Sequence, residues 1–251
     1  MKIVYIHGMN TTTPKDILKK KWDEALFGKA CDSSVMVYWG KEKPSFRSFD
    51  ITETNRDAQK FEMILTEELK ANQARQNKTK GLLDFPLWLS SQWMPDVKAY
   101  FYNDSERRRI REIFEAQIKI DSDSEKTIVI AHSLGTVIAY GTFYLNKDFS
   151  VKLFITIGSP LGFESIQARL NEIHKTRGSK VPESLQKRWV NIANIKDMVA
   201  FDKGLENDFI PRGSIRDITL PSWDGDPHSS EKYLLSKELH NEVLPLLELG
   251  N

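Results

Sequence analysis

The stretch from Thr127 to Ile138, TIVIAHSLGTVI, constrains the fold more tightly than any other part of the chain. Thr127 to Ala131 is short, apolar and rich in β-branched residues, the pattern of a buried strand. Thr136 to Leu145 carries a helical pattern, which leaves His132-Ser133-Leu134-Gly135 for the turn between them. A strand that turns sharply into a helix across a serine holds that hydroxyl at a strained apex, beside the first N–H groups of the helix. Small residues on both sides let the turn close, and Ala131 and Gly135 fill those places.

Around this turn, apolar runs alternate with helical stretches, which predicts a mostly parallel sheet covered by helices. The expected strands run from Ile3 to Ile6, Val35 to Trp39, Ile128 to Ala131, Leu153 to Ile157, Trp189 to Ile192 and Ile215 to Leu220. Lys15 to Phe27 reads as a helix with Pro14 at its start, a position that proline favours. Ser229 or Ser230 can cap a last helix that reaches about Val243 before Pro245. Residues 41–126 exceed the length of one crossover helix. Within them, Ala58, Phe61, Ile64, Leu65 and Leu69 form a helical stripe, Leu82 to Tyr102 is dense in aromatic residues, and a further helix runs from about Asp104 to Ile120. The whole chain, 1–251, reads as a single α/β domain, with 41–104 as a helical insert that either packs over the core or covers a site as a lid.

Composition narrows the partners. The chain is 40% hydrophobic and 28% charged, as in ordinary soluble proteins. Its 36 Lys and Arg nearly cancel its 35 Asp and Glu, so no net field draws it to nucleic acid or to an anionic membrane. The single cysteine, Cys31, has no partner for an internal disulfide and reads as a small buried core residue. The chain starts on a strand rather than a leader pattern, and no apolar run approaches the ~18–20 residues of a bilayer span. A cytoplasmic protein without a transmembrane segment is the expectation.

A serine nucleophile needs a base, a carboxylate to orient the base, and donors for an oxyanion. Of the five histidines, His228 follows the last strand in a turn-rich loop, where ligands gather at the carboxyl edge of an open sheet. His240, inside the C-terminal helix, is the reserve. His132 directly precedes the serine, so strand alternation sends its side chain to the other side, and His174 reads as a solvated residue of a polar helix. Among carboxylates, Asp197 leaves the sheet just beyond the fifth strand, whereas Asp202 and Asp208 lie further along the same loop. His7-Gly8-Met9 after the first strand can aim the Met9 backbone N–H at the same point as the Leu134 N–H, and Gly8 permits a close approach. Arg107, Arg108 and Arg109 have Glu106, Glu112 and Glu115 within helical reach, so they read as a salt-bridged surface.

Taken together, Ala131-His132-Ser133-Leu134-Gly135, His7-Gly8-Met9, Asp197 and His228 resemble the α/β-hydrolase superfamily in its lipase- and esterase-like branch, with the order nucleophile, acid, histidine. The resemblance covers residues 1–40 and about 105–251. It implies an α/β-hydrolase fold reduced to a compact six-stranded sheet, without the family's first two strands. It implies Ser133, Asp197 and His228 as catalytic residues, Met9 and Leu134 as oxyanion donors, and His7, Gly8 and Gly135 as their support. Gly158 to Gly162 resembles a loop bordering the site in lipase-like members. Ala131 departs from the family's elbow glycine. The implied activity is hydrolysis of carboxylic esters, lipid-like or small, with no cofactor. Thioesterase, amidase, peptidase or acyltransferase chemistry uses the same residues, and a non-catalytic binding protein is the remaining alternative.

Overall fold

The computed structural model describes residues 1–8, 11–40, 53–76, 93–119, 126–200 and 202–248. Six strands form one sheet: β1 (Lys2–Ile6), β2 (Ser34–Val37), β3 (Thr127–His132), β4 (Leu153–Ile157), β5 (Trp189–Asn194) and β6 (Ile215–Leu220). Their spatial order is β2-β1-β3-β4-β5-β6, and every neighbouring pair is parallel. The order reverses once. The chain leaves β1 towards β2 on one side, then returns to place β3 on the other, so the carboxyl ends of β1 and β3 flank the switch point where ligands bind in open α/β sheets.

Both faces of the sheet are apolar, as parallel strands require. Alternation divides β1: Ile3 and Tyr5 join one buried cluster, Val4 and Ile6 the other. The first cluster is covered by α1 (Lys15–Phe27), α7 (Ser230–Leu234) and α8 (Lys237–Glu248), which contribute Leu18, Trp22, Tyr233, Leu234, Leu239 and Val243. The second lies under α2 (Glu53–Gln76), α3 (Met94–Tyr102), α4 (Asp104–Lys119), α5 (Leu134–Leu145) and α6 (Glu164–His174). Each large apolar side chain so buried stabilises the fold by about 1.5–3 kcal/mol.

Local signals explain the element ends. Pro14 caps α1, and Gly28 ends it at φ 70, donating its N–H to the Glu24 carbonyl at 2.9 Å. Asp23 of α1 is fully buried, and its carboxylate accepts from Lys19 Nζ, the Cys31 N–H and the Ser34 hydroxyl. This clamp seals α1 to β2. It also changes the reading of Cys31, which sits half-buried in that turn with Sγ 3.3 Å from Ser33 Oγ rather than in the core. A turn tied down by its backbone leaves the short thiol at the rim.

The expected strand from Val35 to Trp39 stops at Val37. Trp39 leaves the ladder because its indole stacks on His7 (5.0 Å between centroids, 7° between planes) and donates Nε1–H to the His7 carbonyl at 3.0 Å. The described part of the aromatic segment 82–102 is core packing: Trp93, Met94, Tyr100 and Phe101 are at most 1% exposed. Residues 82–92, the remainder of that segment, lie outside the described residues. Arg109 pairs with Glu106 and donates to the Trp39 carbonyl, so one arginine of the 107–109 run ties α4 to the end of β2. Among the described residues, no helix is long and apolar enough to cross a membrane.

Candidate active site

The loops that follow β1, β3, β4, β5 and β6 all leave the same edge of the sheet because every strand is parallel. Ser133 stands in the turn between β3 and α5 with φ 54 and ψ −130, a left-handed conformation that is costly for a residue with a Cβ. Its conformation is over-determined by neighbours. The Ser133 N–H donates to the Ile157 carbonyl at 3.1 Å, extending the β3–β4 ladder. The Ser133 carbonyl accepts from Thr136 N–H at 2.9 Å and from the Thr136 hydroxyl at 2.7 Å. Thr136 Oγ1 in turn lies 2.8 Å from Ser159 Oγ in the loop after β4. This pinning is why α5 begins at Leu134, earlier than the helical pattern at Thr136 predicts.

Close packing dictates the small residues here. A Cβ on Gly135 would lie 2.6 Å from the carbonyl oxygens of both Ile6 and His7, too near for any side chain. A Cβ on Gly8 would lie 2.6 Å from Ser133 Cβ and 3.1 Å from Ser133 Oγ. The backbone after β1 therefore runs directly against the serine. Gly8→Ala has to displace one of the two, so we expect a lower Tm, measured by thermal unfolding of the purified variant.

Ser133 Oγ is buried and makes no hydrogen bond among the described residues. It is not bonded to His228. Leu134, at the first position of α5, presents one of the N–H groups that a helix start leaves without an intrahelical partner. Met9, the second expected oxyanion donor, lies outside the described residues.

Asp197 and His228 are brought together. His228 Nδ1–H donates to Asp197 Oδ2 at 2.8 Å. The aspartate is fully buried, and its Oδ1 accepts from the N–H groups of Val199 (2.9 Å) and Ala200 (3.3 Å). Burial alone would raise the Asp197 carboxyl. The His228 charge and the hydrogen bonds from His228 and Tyr233 outweigh it and hold the group below the ordinary carboxylate range. For His228, burial opposes protonation, but the Asp197 charge and hydrogen bond win and hold the imidazole above its ordinary value. Gly158, at φ 57 after β4, leaves room for this pair: a Cβ there would meet the His228 ring at 3.0 Å and Asp197 Oδ2 at 3.1 Å.

Sequence reasoning did not identify two contributors. Tyr233 of α7 donates its hydroxyl to Asp197 Oδ2 at 2.7 Å. His132 reaches the other side of His228. Their rings are 4.5 Å apart, and His132 Nε2 lies 2.8 Å from the His228 carbonyl oxygen. Burial, with His228 adding to the effect, pushes the His132 imidazole down to about 3. His132 is therefore neutral, and because a carbonyl can only accept, its proton is on Nε2. His228 is thus held at its ring by Asp197 and at its backbone by His132. The Asp226 carboxylate also accepts the His228 N–H at 2.9 Å.

The other candidates fall elsewhere. His7 Nε2 accepts the Trp39 N–H at 3.3 Å, so this histidine fastens the end of β1 to the chain beyond β2. His240 Nε2 lies 3.4 Å from the Ala25 carbonyl of α1, not at the serine. Asp202 accepts from Gly204 N–H and Asp208 from Gln167 Nε2, while Asp197 is the carboxylate bonded to His228. His174 is half-buried rather than on a solvated surface as expected. It stacks on Tyr144 at 4.3 Å and 3°, and burial with the nearby Arg111 and Arg107 pushes it down to about 4. Its helix presents that face to α5 because an aromatic ring buries more area there than a solvated edge would keep.

No protein-family model and no curated protein matches the chain.

Proposed function

We propose that this chain is a serine hydrolase of the α/β-hydrolase kind that cleaves carboxylic esters. The observation that carries the reading is the buried Asp197–His228 pair, 2.8 Å apart, on the same sheet edge as Ser133, which is held at φ 54 and whose hydroxyl has no hydrogen-bond partner among the described residues. In this reading His228 Nε2 takes the Ser133 proton as the oxygen attacks the acyl carbonyl, and the Leu134 and Met9 N–H groups receive the developing oxyanion. The tetrahedral intermediate collapses as His228 gives that proton to the departing alcohol. Water activated by His228 then releases the acid and restores Ser133. Asp197 keeps the imidazole in the tautomer with Nδ1–H and stabilises its charged form. None of these steps calls for a cofactor. Amide, thioester and acyl-transfer substrates would use the same groups.

A fluorophosphonate probe tests the shared chemistry: it should label the wild-type protein covalently at Ser133. Absence of labelling, or label recovered on another residue, overturns the proposal. A series of p-nitrophenyl esters from acetyl to dodecanoyl then reads the acyl preference, and a steady decline with length argues against a deep acyl pocket.

The base must be neutral to accept the serine proton. Because Asp197 raises His228, kcat/KM should rise with pH along a limb whose midpoint lies above 6.5, the ordinary histidine value. A midpoint at or below that value in the pH profile contradicts the assignment.

A further inference from the structure

The Tyr233 hydroxyl is fully engaged. It donates to Asp197 Oδ2 and accepts the Asn194 N–H at 2.8 Å, so it bridges the end of β5 and the carboxylate that follows it. Oδ2 is also the oxygen that takes the His228 Nδ1–H. Two donors therefore compete for the electron density of one carboxylate oxygen, while Oδ1 is separately fixed by Val199 and Ala200. The Tyr233 ring is itself fully buried and meets Trp223 edge-on at 5.0 Å. Burial and the Asp197 charge hold the phenol far above its ordinary range, so it remains the donor wherever the protein is folded.

We propose that Tyr233 is a positioning residue acting through Asp197, whose hydroxyl withdraws basicity from Oδ2 and so sets the pH at which His228 becomes available as a base. The proposal rests on the hydrolase reading for its functional meaning, but its physical content is the titration of His228. The groups facing that imidazole are Asp197 from the loop after β5, Asp226 from its own loop, His132 from β3 and, through the Asp197 loop, Lys203. The Tyr233 hydroxyl meets the system at Oδ2 and at the Asn194 N–H, and its ring lies 6.3 Å from that of His132, a contact that Tyr233→Phe keeps. With Oδ1 held by two backbone donors, removal of the hydroxyl leaves the carboxylate in place and strips one donor from Oδ2. The carboxylate then attracts the His228 proton more strongly.

The test follows the His228 imidazole by NMR with pH, beside the kcat and KM profiles, in the full chain. Tyr233→Phe keeps the ring and should raise the His228 midpoint by roughly half a pH unit or more. The ascending limb of kcat/KM moves with it and KM stays unchanged. Substitution of 3-fluorotyrosine at 233 keeps the hydroxyl, makes it a stronger donor and should shift the midpoint the opposite way. This second variant also covers the case in which Tyr233→Phe, having orphaned the Asn194 N–H, fails to fold. Opposite shifts in the two variants support the proposal. An unshifted midpoint in the fluorinated protein, or a fall in Tyr233→Phe, overturns it. Neither result depends on whether Ser133 is labelled by a fluorophosphonate, so failure of the hydrolase reading is seen separately.

Discussion

Ser133→Ala should remove covalent labelling and lower kcat on an activated ester by about 10⁵–10⁶-fold, leaving a weak rate from the oxyanion donors and binding alone. The size of the effect follows from the local geometry. The hydroxyl is buried without a hydrogen bond among the described residues, and Thr136 engages the Ser133 carbonyl rather than its Oγ. The substitution removes no hydrogen bond among the described residues, so Tm should move little. Alanine still carries a Cβ at φ 54, so the backbone strain of the turn remains and folding is not relieved. A variant that retains activity within tenfold of wild type would exclude Ser133 as nucleophile. A large drop in Tm would mean that the hydroxyl has a structural partner.

The second large effect concerns Asp197→Asn, with kcat expected to fall about 10⁴-fold. An asparagine amide facing His228 presents N–H₂ or C=O. To bond Nδ1–H it must turn its oxygen to that side, which places its N–H₂ against the backbone N–H groups of Val199 and Ala200. Either orientation leaves donors facing donors inside a buried site. His228 then loses its preferred tautomer and the charge that raises it, so the surviving activity should show an ascending limb displaced to lower pH than in wild type. The pH dependence of kcat/KM for the variant checks this. An unchanged limb would show that Asp197 does not govern the imidazole.

Much of the fold was legible because parallel strands buried on both faces are written as short apolar runs. Ile3 to Ile6 and Leu153 to Ile157 appear within a residue of their expected places. The turn at Ser133 was legible from the strand and helix patterns that flank it and from residue size, since Gly135 sits where the carbonyl oxygens of Ile6 and His7 leave no space and Ala131 is fully buried between β1 and β4. Asp197 and His228 could be paired because each lies in the loop that follows a strand of one parallel sheet, and parallelism delivers both loops to one edge. Tyr233 was not legible. Its bond to Asp197 joins α7 to a different crossover, and nothing in the helical pattern of residues 229–243 distinguishes that tyrosine from a packing residue. His132 illustrates a different limit. Alternation gives the direction of its side chain, but not that the loop after β6 folds back to meet it with the His228 carbonyl. The end of β2 was misjudged because Trp39 is β-prone by itself, while its stacking on His7 is a tertiary preference.

The order of the elements along the chain has a consequence for synthesis. Ser133 and the strands on either side of it, β1 and β4, leave the ribosome well before β6, the His228 loop and α7. A nascent chain that has already built the turn around the serine therefore carries an alcohol of ordinary reactivity, with no base to ionise it. Asp197, emerging next, is an unpaired carboxylate whose burial is unfavourable until His228 and Tyr233 arrive to bond it. Under the proposed chemistry, competence would arrive only with the segment after β6, and a fragment ending before residue 228 would lack the base as well as the packing of the last helices.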